Sequence, residues 1–221
     1  MKISIVIPTL NEEKAIEETL ADLFENHSPD EVIVADGGST DQTLSLINSR
    51  VKIIHSEKGR AKQMNAGAEK ATGDVFLFLH ADTRLPRNGV SKIKDMVARG
   101  VKAGRFRMRF DDRRWLLRLY ETYTRFHFFS YGDQGFFVAK ELFEKLSGFD
   151  EWVPFEDIDF YKRLRQLTRP VIIKNPVVTS ARRFCGVGCL KQKFINLFLV
   201  ALYYLGFNVS NVKEKLYSEI R

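Results

Sequence analysis

The sequence predicts an α/β fold in which a mainly parallel sheet carries helices on both faces. Three observations predict it. Short β-branched runs alternate with segments of helical spacing through the first hundred residues, and strict alternation of this kind pairs strands in parallel beneath crossover helices. The first of these runs, Ile3-Ser4-Ile5-Val6-Ile7, is short, β-branched and ends at Pro8, as a buried parallel strand does. Each run ends in a polar or glycine-containing turn, at the strand edge where open α/β sheets hold ligands.

The elements follow in order. Ile3-Ser4-Ile5-Val6-Ile7 reads as a buried strand ending at Pro8. Asn11-Glu12-Glu13 leads into Ile16, Leu20, Leu23 and Phe24 at helical spacing, with acids where the helix dipole favours them. Residues 31–35 form a second strand stopped by Asp36-Gly37-Gly38, after which Ser39 or Thr40 caps a helix burying Leu44 and Ile47. Residues 51–55 are a third strand, 60–71 a third helix and 74–79 a fourth strand, and Pro86 occupies the first turn of a fourth helix. Beyond Gly100 the pattern changes. In residues 101–110, Phe106, Met108 and Phe110 alternate with Arg105, Arg107 and Arg109, which predicts a half-exposed strand. Residues 115–129 form an aromatic helix, 134–139 a short strand, and 156–167 a helix running from acidic to basic. From Cys189 onward the pattern is helical, and no fixed-period repeat or Pro/Gly/Ser-rich linker divides the chain.

At 221 residues the chain is one domain, with or without an appendage, and long enough for a substantial core. Its 44% hydrophobic and 29% charged residues exclude a disordered chain. Cys185 and Cys189 supply no disulfide framework and lack the second Cys/His pair of a zinc site, so a reducing, cytoplasmic setting is expected. Residues 1–9 read as a strand rather than a secretory signal, and the longest apolar stretch, 195–207, falls short of the roughly 20 residues of a spanning helix. The net charge of +7 points to an anionic partner: nucleic acid, an acidic membrane or a phosphorylated small molecule. Basic residues interleaved with Phe106, Phe110 and Trp115 suit RNA stacking in principle. No RNA-recognition signature accompanies them and the first half gathers acids at its turns, so no nucleic-acid partner is expected.

Pro8-Thr9-Leu10-Asn11-Glu12 follows the first strand, Asp36-Gly37-Gly38-Ser39-Thr40-Asp41 the second, and His80-Ala81-Asp82 the fourth. No segment matches G-x-G-x-x-G or the Walker A loop, which disfavours dinucleotide and P-loop readings. These motifs, followed by Phe155-Glu156-Asp157, resemble in content and order those of the family 2 glycosyltransferases. With Gly59-Arg60-Ala61-Lys62-Gln63-Met64-Asn65-Ala66-Gly67, Tyr131-Gly132-Asp133-Gln134-Gly135 and Ser180-Ala181-Arg182-Arg183-Phe184, the set is similar to a short bacterial subfamily labelled arsenosugar-biosynthesis glycosyltransferases. The resemblance covers nearly the whole chain. It implies a GT-A, Rossmann-like fold and an inverting enzyme that uses a nucleotide-diphosphate sugar. It divides the chain into a GT-A domain over 1–188, with 1–100 the nucleotide-binding half and 101–188 the acceptor half, and a helical segment over 189–221. His80 departs from the family's D-x-D, whose first position is aspartate.

The chemistry can be built beside the resemblance. A departing nucleoside diphosphate is stabilised by a divalent cation, and Mn²⁺ or Mg²⁺ prefers carboxylate oxygen, a role for Asp82. His80 can hydrogen-bond ribose or phosphate or support the metal's ligand from behind, and Pro8, Thr9, Glu12 and Ala81 flank the donor crevice. Asp36 matches the family residue that accepts from the nucleotide base, which suits uracil or guanine and favours a UDP-sugar over a GDP-sugar. Arg60 and Lys62 open a helix, where they reinforce its N-terminus toward phosphate. In the family the aspartate after the glutamate is the base, hence Asp157 takes the acceptor's proton, with Asp133 in reserve or at the acceptor. Glu156, Arg182 and Arg183 are expected to touch acceptor or phosphate. A nucleotidyltransferase and an interaction domain on a transferase scaffold are the rival readings. The basic residues Arg182, Arg183, Lys191 and Lys193 before the apolar stretch to Phe207 leave two alternatives: burial within the chain or a homodimer, and peripheral contact with an anionic membrane.

Overall fold

The computed structural model describes residues 1–126, 132–182, 198–199 and 202–203. Eight strands, β1 (Ile3–Thr9), β2 (Glu31–Asp36), β3 (Lys52–His55), β4 (Val75–Phe78), β5 (Thr83–Arg84), β6 (Ala103–Phe110), β7 (Phe136–Ala139) and β8 (Val171–Thr179), form one sheet in the order β3-β2-β1-β4-β7-β6-β8-β5. The helices are α1 (Ile16–Asn26), α2 (Arg60–Lys70), α3 (Gly89–Ala98), α4 (Trp115–Tyr123), α5 (Lys140–Lys145) and α6 (Glu156–Leu167). The fold is mixed α/β. Strands β1 to β4 are parallel, whereas β7 runs antiparallel between β4 and β6, and β8 returns parallel to β6. The two halves of the chain therefore share a sheet.

Period-2 alternation in β1 divides the core. Ile3, Ile5 and Ile7 join Leu20, Leu23, Val90 and Ile93 in one cluster, and Val6 joins Ile33, Met64 and Ala68 on the opposite face. α2 lies close because position 67 is glycine: a Cβ there would sit 2.4 Å from Val6 Cγ1. The same face continues into aromatics. Phe149 packs 4.9 Å from Phe78 and 4.6 Å from Phe160, ring centre to ring centre. Those contacts seat α6, whose first turn carries Glu156 and Asp157, against the centre of the sheet.

Several local expectations change. The helix expected around Leu44 and Ile47 is a single 3-10 turn, Leu44–Leu46. Ser39 and Thr40 do not cap it; the Ser39 hydroxyl accepts from Asn11 N at 2.9 Å and Thr40 N donates to Asn11 Oδ1 at 2.9 Å. Their polar groups are spent holding two loops together, and few residues remain before β3. Pro86 lies ahead of α3 rather than in its first turn, since the helix begins only after Asn88, at φ 60°. The strand expected to be half exposed is buried over its first four residues, Arg105 included at 1% exposure. Strand β7 covers that end, and the Arg105 guanidinium donates to Thr124 O at 2.8 Å and Phe126 O at 2.7 Å. β5, α5 and β8 were not anticipated. β5 has two residues, and β8 carries Pro176 at a shift in register, features too weak to show as periodicity.

Most of the segment expected to be helical over 189–221 lies outside the described residues. Within it Leu199 is fully buried and the Tyr203 ring lies 5.6 Å from Phe155, just ahead of α6. Among the described residues, no helix is long and apolar enough to cross a membrane.

Candidate active site

The carboxyl ends of β1, β2 and β4 meet the N-termini of α2 and α6 along one edge of the sheet. Here the first two motifs form a single clasp. Asp36, 1% exposed, accepts from Gly38 N at 2.9 Å and Ser39 N at 3.0 Å, which builds the turn after β2. Gly37 N donates to Thr9 O at 2.9 Å, and Glu12 N to the Thr43 hydroxyl at 2.8 Å. Behind the clasp, buried Gln63 donates through Nε2 to Thr9 O at 2.6 Å and Ala35 O at 3.0 Å, tying α2 to the ends of both strands. Gly37 leaves room for that amide: a Cβ would meet it at 3.0 Å.

The expected residues therefore divide. The Thr9 hydroxyl bonds to its own strand at Ile7 O, 3.1 Å away, and Pro8 is a ladder residue paired with Ala35. Ala81 is buried and its carbonyl accepts from the Thr19 hydroxyl at 2.7 Å. The Asp36 carboxylate is used by its own turn. These four hold the strand ends and the turns that follow them. Lys62 is ion-paired with Glu57 on the surface, which raises its pKa; the structure does not bring it to the acidic cluster.

Arg60 does reach that cluster. Gly59 precedes it at φ 144°, a conformation that favours glycine, and turns the chain into α2. The Arg60 guanidinium lies 3.6 Å from Glu156. Desolvation opposes its charge, but Glu156, Asp157, Asp133 and Asp82 outweigh that and raise its pKa. Four carboxylates from three separate stretches of chain thus share the field of one arginine. Asp133 lies in the 3-10 turn Gly132–Gln134. Burial first, then the charges of Asp157 and Asp82, push its pKa from 3.8 up to about 7 against the opposing pull of Arg60. Its Oδ1 is buried with no hydrogen-bond partner among the described residues.

Asp157 is half-buried in the first turn of α6, where Oδ1 accepts from Ile158 N at 2.8 Å. Asp159 faces elsewhere and is held at 2.7 Å by Arg163, which also donates to Leu146 O and Gly148 O. Asp82, 10% exposed in its side chain, lies 3.5 Å from Nη2 of Arg182, and the same nitrogen bonds Glu12 Oε2. His80 is half-buried beside the cluster's strand, and its carbonyl accepts from Thr83 N at 3.1 Å. Arg183 lies outside the described residues.

Sequence reasoning missed Gln63 and Arg105. Gln63 lies within the segment 59–67, and a polar side chain on the inward side of a helix is the available signal. Buried Arg105 has no such signal, since its alternation with apolar neighbours is that of an exposed residue.

The family model of glycosyl transferase family 2 matches residues 4–150, about two thirds of the chain. The chain belongs to glycosyltransferase family 2. This family 2 chain is 30% identical over 111 residues, 44% of its length, to the undecaprenyl-phosphate 4-deoxy-4-formamido-L-arabinose transferase of Pectobacterium carotovorum, and covers 34% of that relative. It spans about a third of the length of such curated relatives. Among solved structures, Staphylococcus aureus TarS 1-349 in complex with UDP-GlcNAc superposes at a TM-score of 0.66 with 22% identity, over 81% of this chain and 58% of that one. The mannosyltransferase PcManGT of Pyrobaculum calidifontis, with GDP-Man and Mn²⁺, superposes at 0.62 with 22% identity, over 81% and 56%. These likenesses establish the GT-A glycosyltransferase fold.

Proposed function

We propose that the chain transfers a sugar from a nucleotide-diphosphate donor, UDP-linked rather than GDP-linked, to an acceptor hydroxyl with inversion. The observation that carries this reading is the convergence of Asp82, Asp133, Glu156 and Asp157 on Arg60, beside the clasped loops of β1 and β2. Membership of the family supports it, as do the UDP-GlcNAc and GDP-Man complexes of the two neighbours. Similarity to the arsenosugar-labelled subfamily belongs to the same proposal and names no acceptor. Contact of the stretch after Arg182 with a membrane or a second copy is part of it too.

Inversion by direct displacement needs a base on the acceptor side and a stabilised leaving group. Asp157 is the base: it opens α6 beside the cluster, whereas Asp159 is committed to Arg163. Asp133 complements it. With a pKa pushed up to about 7 by burial first and then by the Asp157 charge, Asp133 is protonated in about half the molecules at neutral pH, which lessens the repulsion between the two carboxylates. Arg60 offers its guanidinium to the diphosphate at the mouth of the cluster, where it is 38% exposed. Glu12 and Asp82 fit a divalent cation, because their oxygens, carried by different loops, converge on one cationic nitrogen. When bound there, Mn²⁺ or Mg²⁺ supplies charge neutralisation to the diphosphate.

A panel of nucleotide sugars with and without Mn²⁺, followed by thermal shift and by nucleotide release, tests the reading. UDP-sugars are expected to stabilise the protein by linkage and to release UDP when an acceptor is present. Absence of stabilisation by any nucleotide would overturn it.

A further inference from the structure

We propose that Arg182 is the resident counter-cation of Glu12 and Asp82, holding the position that a divalent metal takes only in company with the donor's diphosphate. The inference rests on the donor reading above and deepens it. Three parts of the chain meet at one atom. Nη2 of Arg182, just past β8, bonds the Glu12 carboxylate from the loop after β1 and stands 3.5 Å from Asp82, after β4. The two acids are largely buried, with 9% and 10% of their side chains exposed, while Arg182 keeps 33%. Two buried carboxylates without a cation between them repel at high cost. Glu12 N also bonds the Thr43 hydroxyl, and Asp82 O accepts from Ser180 N, so both acids sit on anchored loops. The long, part-exposed arginine is the member with the most freedom to move.

The diphosphate decides when it moves. A divalent cation added alone must displace the guanidinium from both carboxylates. A sugar nucleotide brings two more negative charges on its diphosphate. The guanidinium can then pass to the phosphate oxygens, which its planar fork fits, and leave the two carboxylates to the metal. Metal and nucleotide consequently bind as a coupled pair, and the coupling passes through Arg182. His80, in place of a further acid, is consistent with a site that does not hold metal by itself.

The test is Mn²⁺ binding, read by electron paramagnetic resonance and calorimetry, on the wild-type chain and on Arg182→Gln, each with and without UDP. The wild type is expected to bind Mn²⁺ weakly alone and at least about tenfold more tightly with UDP, the lower range of common coupling energies. Arg182→Gln should bind Mn²⁺ alone about tenfold more tightly than wild type, and its gain on adding UDP should shrink. Arg182→Lys keeps a cation there and should stay near wild type. Arg182→Ala repeats the neutral substitution with a different side chain, and circular dichroism verifies each fold. If the wild type shows UDP-linked Mn²⁺ binding and neither neutral variant tightens Mn²⁺ alone, this inference falls and the donor reading stands. If the wild type binds neither UDP nor Mn²⁺ in any combination, both fall.

Discussion

Replacing Asp133 by asparagine should stabilise the protein at alkaline pH and progressively less as pH falls. The folded-state pKa is about 7 against an ordinary 3.8, raised first by burial, then by Asp157 and Asp82. A raised carboxyl pKa means that the folded chain keeps the proton where the unfolded chain has lost it. Below pH 3.8 both states are protonated and the group is neutral toward stability. Between 3.8 and 7 the unfolded state ionises alone, so unfolding becomes easier as pH rises, and above 7 the full penalty applies. Roughly three units at about 1.4 kcal/mol each give a penalty of about 4 kcal/mol. Asparagine cannot ionise and escapes it, although its amide must find new partners in a site where Oδ1 has none among the described residues, a cost on the order of 1 kcal/mol. The gain over wild type should therefore grow by about 2–3 kcal/mol between pH 5 and pH 8. For a chain of this size that is roughly 5–10 °C in Tm. Urea and thermal unfolding across that range, in chelator to keep metal off the neighbouring carboxylates, provide the measurement. A gain of equal size at pH 5 and pH 8 would refute the reasoning, because only a titrating group produces the slope.

Other perturbations separate chemistry from scaffolding. Asp157→Asn should lower kcat roughly a hundredfold or more with donor affinity little changed, while Asp159→Asn keeps most activity, because its partner is Arg163; steady-state kinetics with varied donor show which carboxylate matters. Gln63→Leu strands the carbonyls of Thr9 and Ala35 and should cost about 1–3 kcal/mol in urea unfolding, with weaker nucleotide binding as the clasp loosens. Lys62→Ala should change UDP affinity by less than about threefold, the scale of an exposed pair, since its ammonium is engaged with exposed Glu57; a larger loss in calorimetry would return Lys62 to the donor site.

Local information was legible wherever the physics is local. The alternation of buried runs with amphipathic segments predicted β1 through β4 and the helices α1 and α2, and the acidic start and basic end of α6 set its bounds at the residues observed. Turn chemistry placed Asp36, His80 and Asp82 at strand ends because a parallel strand must stop and reverse there, whatever its neighbours are. What depended on contacts distant in sequence was decided only by the tertiary structure. Gln63 meets Thr9 across 54 positions and Arg182 meets Glu12 across 170, and no periodicity carries such a pairing. Burial of Arg105 and the antiparallel entry of β7 follow from which strand lies alongside which. The shared field of Arg60 and the raised pKa of Asp133 arise for the same reason. An ionisable group takes its character from the charges and solvent around it, and those are assembled only when the sheet edge closes.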